Sequence, residues 1–229
     1  MSLAYSVIIP AWNESENILQ ALKASIKAFD GFGKPYEILV IDDGSTDDTA
    51  KKTNKIAQAH PEIKLISHSH NQGKGKAIQT GMQQAQGKIR LFLDCDLSVS
   101  PTAFARMIPL FEKNDIVIGS RRIPGAHIAT PQPWYRTFSG RVFNLLVRLR
   151  TGLPYHDTQC GFKAFHARTE PIFKRLKTSG WVFDVELLTQ ATKKKYRIAE
   201  IPVEWRNGKT SRLKLKDAWN IWKELRAIR

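Results

Sequence analysis

The stretch Arg90-Leu91-Phe92-Leu93-Asp94-Cys95-Asp96-Leu97-Ser98 is an apolar run that ends in two carboxylates one residue apart. The run predicts a buried strand, and side chains two residues apart on an extended chain point the same way. Asp94 and Asp96 could therefore converge on one cation, which would offset their desolvation and mutual repulsion. Oxygen ligands favour Mg2+ or Mn2+ over zinc. The alternative is that one aspartate caps a helix and the other is solvated.

Strand patterns alternate with helix patterns on both sides of this stretch. Predicted strands cover residues 5–10, 36–41, 63–66, 89–93 and 115–119, and predicted helices cover 15–29, 47–59, 74–84 and a segment after Pro101. The alternation predicts one α/β domain, residues 1–229, with a mostly parallel, twisted, Rossmann-like sheet and helices on both faces. Residues 197–206 predict a short strand pair interrupted by Pro202. Ligands of such sheets bind beyond the carboxyl ends of the strands.

Polar side chains follow four of the predicted strands. They are Asn13 and Glu14, Asp42 and Asp43, Asp94 and Asp96, and Ser120-Arg121-Arg122. Any one pair could be a helix cap or a turn, but together they predict a nucleotide site with a metal. The segment Gly73-Lys74-Gly75-Lys76 is either a helix start that meets an anion or a surface turn. No dinucleotide-binding glycine motif and no P-loop are present.

Charge divides the chain into two parts. Residues 1–120 hold 13 Lys+Arg and 13 Asp+Glu, whereas residues 121–229 hold 23 and 8, so the second part carries the whole net charge of +15. A basic field of this kind concentrates anions. The anion could be nucleic acid, a phosphorylated substrate or an acidic membrane surface, and we divide the domain into a neutral half, 1–120, and a basic half, 121–229.

Two segments of the basic half have apolar stripes. Residues 134–150 predict an apolar, arginine-rich helix, and residues 213–229 predict a helix with tryptophans on one face and basic residues largely elsewhere. Each could pack on the domain or lie on a membrane surface. No apolar run reaches the length of a membrane span and no signal peptide is evident, so we expect a cytoplasmic chain.

The chain resembles the family-two inverting glycosyltransferases of the GT-A fold, and among them the polyprenyl-phosphate sugar transferases, the dolichyl-phosphate mannosyl and glucosyl synthases. The resemblance rests on an ordered series of motifs across most of the chain: Val7-Ile8-Ile9-Pro10-Ala11-Trp12-Asn13-Glu14, Asp42-Asp43-Gly44-Ser45-Thr46-Asp47, Asn71-Gln72-Gly73-Lys74-Gly75, Asp94-Cys95-Asp96, Gly119-Ser120-Arg121, Asp157-Thr158-Gln159-Cys160-Gly161-Phe162-Lys163 and Trp181-Val182-Phe183-Asp184-Val185-Glu186. The run at 157–163 is most similar to the glucosyl branch, whereas Asp96-Leu97-Ser98 is more similar to the mannosyl branch.

The resemblance implies a role for each matching position. The base and ribose of a nucleotide-sugar would be held by Pro10, Ala11, Glu14, Asp42 and Asp43, and we add Lys74 to this donor site. Mg2+ or Mn2+ on the donor diphosphate would be bound by Asp94 and Asp96, with Ser98 as a further ligand. The acceptor phosphate would be received by Arg121, Arg136 and Ser139, and we add Asp157, Arg206 and Arg212. Of these residues, Asp94, Asp96 and Arg121 would carry the chemistry. The resemblance thus makes residues 1–120 the nucleotide-sugar-binding half of the domain and residues 121–229 its basic acceptor-binding half.

The expected reaction is transfer of a hexose, with inversion, from UDP-glucose or GDP-mannose to a polyprenyl phosphate by an enzyme peripheral to the inner face of a membrane. A phosphate monoester, with a second pKa of about 6, is already an anionic nucleophile near neutral pH. The alternative acceptor is a sugar hydroxyl, which needs a base, and Asp157, Asp184 or Glu186 are candidates. A nucleic-acid-binding module is a third class, but the aromatic residues gather in apolar stripes and an acidic rim would repel nucleic acid.

Overall fold

The computed structural model describes residues 2–130, 134–180, 182–206, 223–226 and 228, with side chains except at 134–138 and 141. The described strands are β1 (Tyr5–Ala11), β2 (Tyr36–Asp42), β3 (Ile63–Ser67), β4 (Ile89–Leu93), β5 (Ile116–Ser120), β6 (His127–Ile128), β7 (Phe162–His166), β8 (Ile198–Pro202) and β9 (Glu204–Trp205). The described helices are α1 (Ile18–Gly31), α2 (Thr49–Ala57), α3 (Lys74–Gln84), α4 (Trp134–Thr151), α5 (Glu170–Phe173) and α6 (Phe183–Lys193). Short 3-10 turns cover Pro101–Arg106, Ile108–Glu112 and Ala167–Thr169.

Seven of the described strands form one sheet in the order β3-β2-β1-β4-β7-β5-β8. Parallel pairs join β1 to β2 and β4, β2 to β3, and β5 to β8. Strand β7 runs antiparallel to both of its neighbours, β4 and β5, so β5 points the same way as β4. The carboxyl ends of β1 to β5 therefore lie at one edge. This architecture confirms the prediction of a mostly parallel α/β sheet.

Helices cover both faces of the sheet because its central strands are apolar on both sides. Val7 and Ile9 of β1 pack in the core that includes Phe29 of α1. Ile8, between them, faces the opposite core, which includes Ile78 of α3. Each such side chain contributes about 1.5–3 kcal/mol on full burial. The two cores hold the strand ends rigidly at the edge where the polar residues lie.

The segment after Pro101 does not form the α-helix that the sequence predicts. It forms the two 3-10 turns Pro101–Arg106 and Ile108–Glu112, which join at Met107. Pro109 explains the difference, because proline in a helix interior has no N–H to donate and its ring collides with the preceding turn. Ser100 accepts a hydrogen bond from Thr102 N and so caps the first turn.

Two predicted helices begin later than expected. Helix α1 begins at Ile18 rather than at residue 15, and α2 begins at Thr49 rather than at 47. Asp47 stays outside α2 and accepts hydrogen bonds from Thr49 N and Ser15 N, both at 3.0 Å. It therefore ties the start of α2 to the segment that leads into α1.

The predicted strand pair near Pro202 is present, but its members have different partners. Strand β8 ends at Pro202 and joins the edge of the main sheet beside β5, whereas β9 pairs with β6. Arg206 N, just after β9, donates a hydrogen bond to Ser98 O at 2.8 Å. The segment after β9 is thus fastened to the loop that carries Asp96.

Candidate functional site

Asp94 lies directly after β4, and its carboxylate meets a lysine from the start of α3. Lys74 Nζ lies 2.5 Å from Asp94 Oδ1. Burial alone would lower the pKa of Lys74, but Asp94, Asp184 and Asp96 together raise it above its ordinary value. From the sequence, this lysine could contact an anion or lie in a surface turn. In the structure it pairs with Asp94, and the charges of Asp184 and Asp96 also act on it.

Asp96 lies in an exposed turn that Leu97 makes with a left-handed backbone, at φ 53°. Its Oδ1 accepts hydrogen bonds from Ser98 N at 2.9 Å and Ser98 Oγ at 2.7 Å. Ser98 thus orients the Asp96 carboxylate by contact. The role of Ser98 as a further metal ligand, which the resemblance implies, stays a prediction.

The residues around Asp94 fit a divalent cation on a diphosphate. Asp94 already accepts a cationic group, and the charge of Asp96 acts on the same ammonium. Within the described residues, no group of three or more His, Cys, Asp and Glu side chains could hold a metal by itself. Two carboxylates that leave the other positions to phosphate and water are the usual arrangement for Mg2+ in nucleotide sites.

Gly161, at the start of β7, forms the wall behind the Asp94 carboxylate. A Cβ placed on Gly161 would lie 2.5 Å from Asp94 Cγ and closer still to Oδ2. Only glycine leaves the carboxylate where it is. The sequence analysis quoted Gly161 within a motif but did not connect it with Asp94, because the contact depends on β7 lying antiparallel beside β4.

Asp43 organises the loop that leads into α3. Its Oδ1 accepts hydrogen bonds from Gln72 N at 3.0 Å and lies 2.7 Å from His68 Nδ1, while its Oδ2 accepts one from Gly73 N at 2.8 Å. The side chain is almost fully buried, and it fixes the backbone beside Lys74. Neighbouring Asp42, also buried, accepts a hydrogen bond from Ser45 N at 3.1 Å.

The end of β1 lines the same edge beside these aspartates. Pro10 pairs in register with Ile41, and Ala11 with Asp42. Glu14 follows, with its backbone N–H bound to Thr49 Oγ1 at 2.8 Å and its carboxylate bound to Asn17 Nδ2 at 2.7 Å. The predicted base and ribose contacts are therefore adjacent across β1 and β2.

Arg121 follows β5 and forms a two-point ion pair with Asp157. Arg121 Nε and Nη2 donate to Asp157 Oδ2 and Oδ1 at 2.6 and 2.8 Å, and Arg121 N donates to Oδ2 at 3.0 Å. Burial would raise the pKa of Asp157, but the Arg121 guanidinium outweighs it and holds that pKa below its usual range. The guanidinium also lies 5.6 Å from the centre of the Trp205 ring.

Asp184 and Glu186, the other candidate bases, are occupied by structural contacts. Lys163 Nζ, on a side chain with 0% exposure, donates to Asp184 Oδ1 and to Cys160 O, both at 2.6 Å. Glu186 Oε2 accepts from Thr178 N and Thr178 Oγ1 at 2.8 and 2.6 Å. Burial raises the pKa of Asp184 even though Lys163 and Lys74 oppose that shift.

Lys163 was not singled out in the sequence analysis. A signal was present, because a lysine inside the apolar strand pattern Phe162-Lys163-Ala164-Phe165 needs a buried anionic partner. The partner, 21 residues away, could not be identified without the fold.

The remaining predicted acceptor residues are only partly described. Arg136 and Ser139 lie on α4, where Ser139 is exposed and the Arg136 side chain is outside the described residues. Arg206 is exposed and donates through Nη2 to Glu204 Oε1 at 3.0 Å. Arg212 lies outside the described residues. Their assignment to the acceptor stays a prediction.

Comparison with known proteins gives the family. The model of glycosyl transferase family 2 matches residues 6–170. The dolichyl-phosphate beta-glucosyltransferase of Dictyostelium discoideum is 36% identical over 87% of this chain and 65% of its own length. The enzyme of the same name from Saccharomyces cerevisiae is 33% identical over 98% of this chain and 73% of its own. The chain thus spans roughly two thirds of the length of such relatives.

Among solved structures, the chain resembles the glucosyl-3-phosphoglycerate synthase of Mycobacterium tuberculosis bound to Mn2+, UDP and glucosyl-3-phosphoglycerate. The TM-score is 0.72 at 20% identity, over 99% of this chain and 78% of the other. This likeness confirms the predicted GT-A fold. The match over residues 6–170 and the sequence relatives show that the chain belongs to glycosyl transferase family 2.

Proposed function

We propose that this protein transfers a hexose, with inversion, from a nucleotide-sugar to a polyprenyl phosphate at a membrane surface, and that it requires a divalent metal ion. UDP-glucose is the favoured donor, with GDP-mannose second. The names of the sequence relatives support the dolichyl-type acceptor and the glucosyl group. The Mn2+ and UDP of the Mycobacterium tuberculosis complex support the donor base and the metal.

On the donor side, the proposal assigns the diphosphate to the cluster of Asp94, Asp96 and Lys74. Mg2+ or Mn2+ held by the two aspartates would stabilise the negative charge of the leaving nucleoside diphosphate. Asp43 keeps the backbone at Gly73 fixed, so Lys74 starts from a defined position at the head of α3. The chain itself thus supplies orientation and charge, which are the effects that this reaction needs.

The choice of a phosphate acceptor rests on one observation, namely that the three candidate bases are already held by other groups of the protein. Asp157 is tied to Arg121 and has a lowered pKa, which makes its carboxylate a poor proton acceptor. Burial raises the pKa of Asp184, but this carboxyl is enclosed and hydrogen-bonded to Lys163, and Glu186 is bound to the backbone and side chain of Thr178. A sugar hydroxyl needs a base to take its proton, whereas a phosphate monoester is already anionic near pH 7.

Arg121 is the proposed contact for that acceptor phosphate. Its guanidinium has more N–H donors than the two that hold Asp157, and guanidinium groups match phosphate geometry. The charge of Asp94 acts on Arg121, so the two lie close enough to interact electrostatically. The nucleophile would therefore be held next to the diphosphate.

Contact with a membrane is supported by one face of α4. Val142, Leu145, Leu146 and Leu149 recur at helical spacing and are exposed, and 75% of the Leu149 surface is accessible. The exposed Arg148 and Arg150 flank this stripe. Apolar side chains beside arginines are typical of helices that lie in the interface of anionic membranes. No helix in the described part of the chain is long and apolar enough to cross a bilayer.

A transfer assay tests the proposal. The purified chain is incubated with Mn2+ and a polyprenyl phosphate in detergent, and with UDP-glucose, GDP-mannose or other nucleotide-sugars in separate reactions. We expect a glycosyl phosphate with inverted anomeric configuration, formed fastest from UDP-glucose and only with the metal. Transfer to a sugar hydroxyl but not to the lipid phosphate would favour the alternative acceptor. No transfer from any donor would contradict the proposed activity.

A further inference from the structure

The contact between Lys74 and Asp94 links two groups that the proposed function uses separately. The structure pairs the lysine ammonium directly with Asp94 Oδ1, the carboxylate assigned to the metal. On its Oδ2 side the Asp94 carboxylate lies against Gly161, where an added Cβ would come within 2.5 Å of Asp94 Cγ, so the carboxylate has no room to turn in that direction. We therefore assign the exchange at this carboxylate to the lysine.

The backbone that carries Lys74 is fixed on both sides. Gly73 N donates to Asp43 Oδ2 at 2.8 Å, and Gly75 N donates to Ser179 O at 2.9 Å. A Cβ at residue 73 would lie 2.5 Å from Ser179 O, and one at residue 75 would lie 2.7 Å from Phe183 Cβ, so the chain is closely packed here. The Lys74 side chain, by contrast, has several rotatable bonds, and about a third of it is accessible to solvent.

Two cations on one carboxylate repel each other when they are a few ångströms apart. The Lys74 ammonium already pairs with Asp94 Oδ1, so a divalent cation that binds this carboxylate meets that repulsion. The lysine can relieve the repulsion by turning to a new anion.

We propose that Lys74 and the divalent cation occupy Asp94 alternately, and that Lys74 leaves Asp94 for the diphosphate when the donor binds. This inference rests on the proposed function. Its consequence is that the metal alone competes with a tethered ammonium and binds weakly. Nucleotide gives the ammonium another partner and so strengthens metal binding, and by linkage the metal strengthens nucleotide binding equally.

The test measures Mn2+ binding in the absence of nucleotide, by the electron paramagnetic resonance signal of free Mn2+, for wild type and Lys74→Gln. We expect Lys74→Gln to bind Mn2+ alone about 5- to 10-fold more tightly than wild type. The ratio of Mn2+ affinities with and without UDP should fall by a similar factor. Lys74→Arg, which keeps a charge that can pair with Asp94, should bind Mn2+ alone as weakly as wild type.

Lys76→Gln is the matched control, because it removes the same charge two residues away from a lysine that donates to Gln79 Oε1 at 2.8 Å. We expect its Mn2+ affinity to stay within about twofold of wild type, since the Lys76 ammonium pairs with Gln79 and a charge farther from Asp94 is more strongly screened by salt. An equal gain in Lys76→Gln would overturn the proposal in favour of a general charge effect. Unchanged or weaker binding in Lys74→Gln, with normal folding by circular dichroism, would overturn it as well.

Failure of this inference can be distinguished from failure of the proposed metal site. Asp94→Asn should abolish Mn2+ binding in every background if Asp94 is a ligand. If wild type binds Mn2+ through Asp94 and Lys74→Gln binds it equally well, only the alternation is wrong. If Asp94→Asn binds Mn2+ like wild type, the metal assignment itself is wrong and the alternation falls with it.

Discussion

Arg121 and Asp157 are bound to each other at two points, with Nε 2.6 Å from Oδ2 and Nη2 2.8 Å from Oδ1. The two residues are 36 positions apart in the sequence. The ion pair holds the guanidinium in one orientation and keeps the pKa of Asp157 below its usual range, which makes that carboxylate a poor proton acceptor.

Replacing Arg121 by lysine should impair use of the acceptor more than use of the donor. Lysine keeps the charge but loses the planar two-point geometry, so we expect kcat/KM for polyprenyl phosphate to fall by roughly tenfold, and by about 100-fold in Arg121→Gln. Steady-state kinetics with each substrate varied in turn measures this. A loss confined to the nucleotide-sugar KM would contradict the acceptor role.

Asp157→Asn should lower stability near neutral pH but not in acid. The pKa of Asp157 is lower in the folded chain than its ordinary value, so the ionised carboxylate stabilises the fold above the unfolded pKa of about 3.9, and this contribution disappears as pH falls through the lowered folded pKa. We expect a deficit of about 2 kcal/mol near pH 7. Urea unfolding of both proteins between about pH 7 and pH 3 should show the difference shrinking below about pH 4.

Gly161→Ala should disturb the metal site through a single methyl group. The added Cβ would overlap the Asp94 carboxylate and force it to turn, so we expect affinity for Mn2+ with UDP to fall about 10- to 100-fold, as for groups that orient metal ligands. Isothermal titration calorimetry measures the affinity. Gly31→Ala is the control, because a Cβ at this helical glycine meets nothing within 4 Å. Equal affinities in Gly161→Ala and wild type would mean that Asp94 is not a ligand in the position described.

Asp96→Ala should abolish metal-dependent donor binding. The exposed carboxylate is held by Ser98, and its loss removes one of two acidic ligands. We expect the increase in melting temperature that UDP-glucose produces with Mn2+ to vanish, since only ligands that bind the folded state raise it. Wild type treated with EDTA should behave the same way. An unchanged increase in the variant would show that the metal assignment to Asp96 is wrong.

Leu149→Asp should weaken binding to membranes. Leu149 is the most exposed member of the α4 stripe, and burying a leucine contributes about 1.5–3 kcal/mol, so we expect binding to anionic vesicles to fall by roughly 10-fold or more. Vesicle sedimentation measures the bound fraction. Gln20→Asp on α1 adds the same charge at an exposed position and serves as the control. If both variants lose binding equally, only the net charge matters and the α4 stripe is not the contact.

Much of the candidate donor site could be predicted from local patterns. The apolar run before Asp94, the acidic pair after β2 and the polar residues after β1 and β5 each mark a strand end, and parallel strands bring such ends to one edge. The helix predicted after Pro101 was wrong because Pro109 interrupts it, and that residue was visible in the sequence. Which of these side chains contact each other at that edge could not be predicted from such patterns.

The sequence by itself determined the family, the alternation of strands and helices, and the separation of a neutral half from a basic half. The family followed from an ordered series of motifs, and the other two from local periodicity and composition, none of which needs knowledge of what packs where. Only the tertiary structure decided that β7 lies antiparallel between β4 and β5, and with it that Gly161 closes the space behind Asp94. It likewise paired Lys74 with Asp94, Lys163 with Asp184 and Arg121 with Asp157. Each pairing joins charges from separate elements, and a charge in a sequence does not identify the partner that packing brings to it.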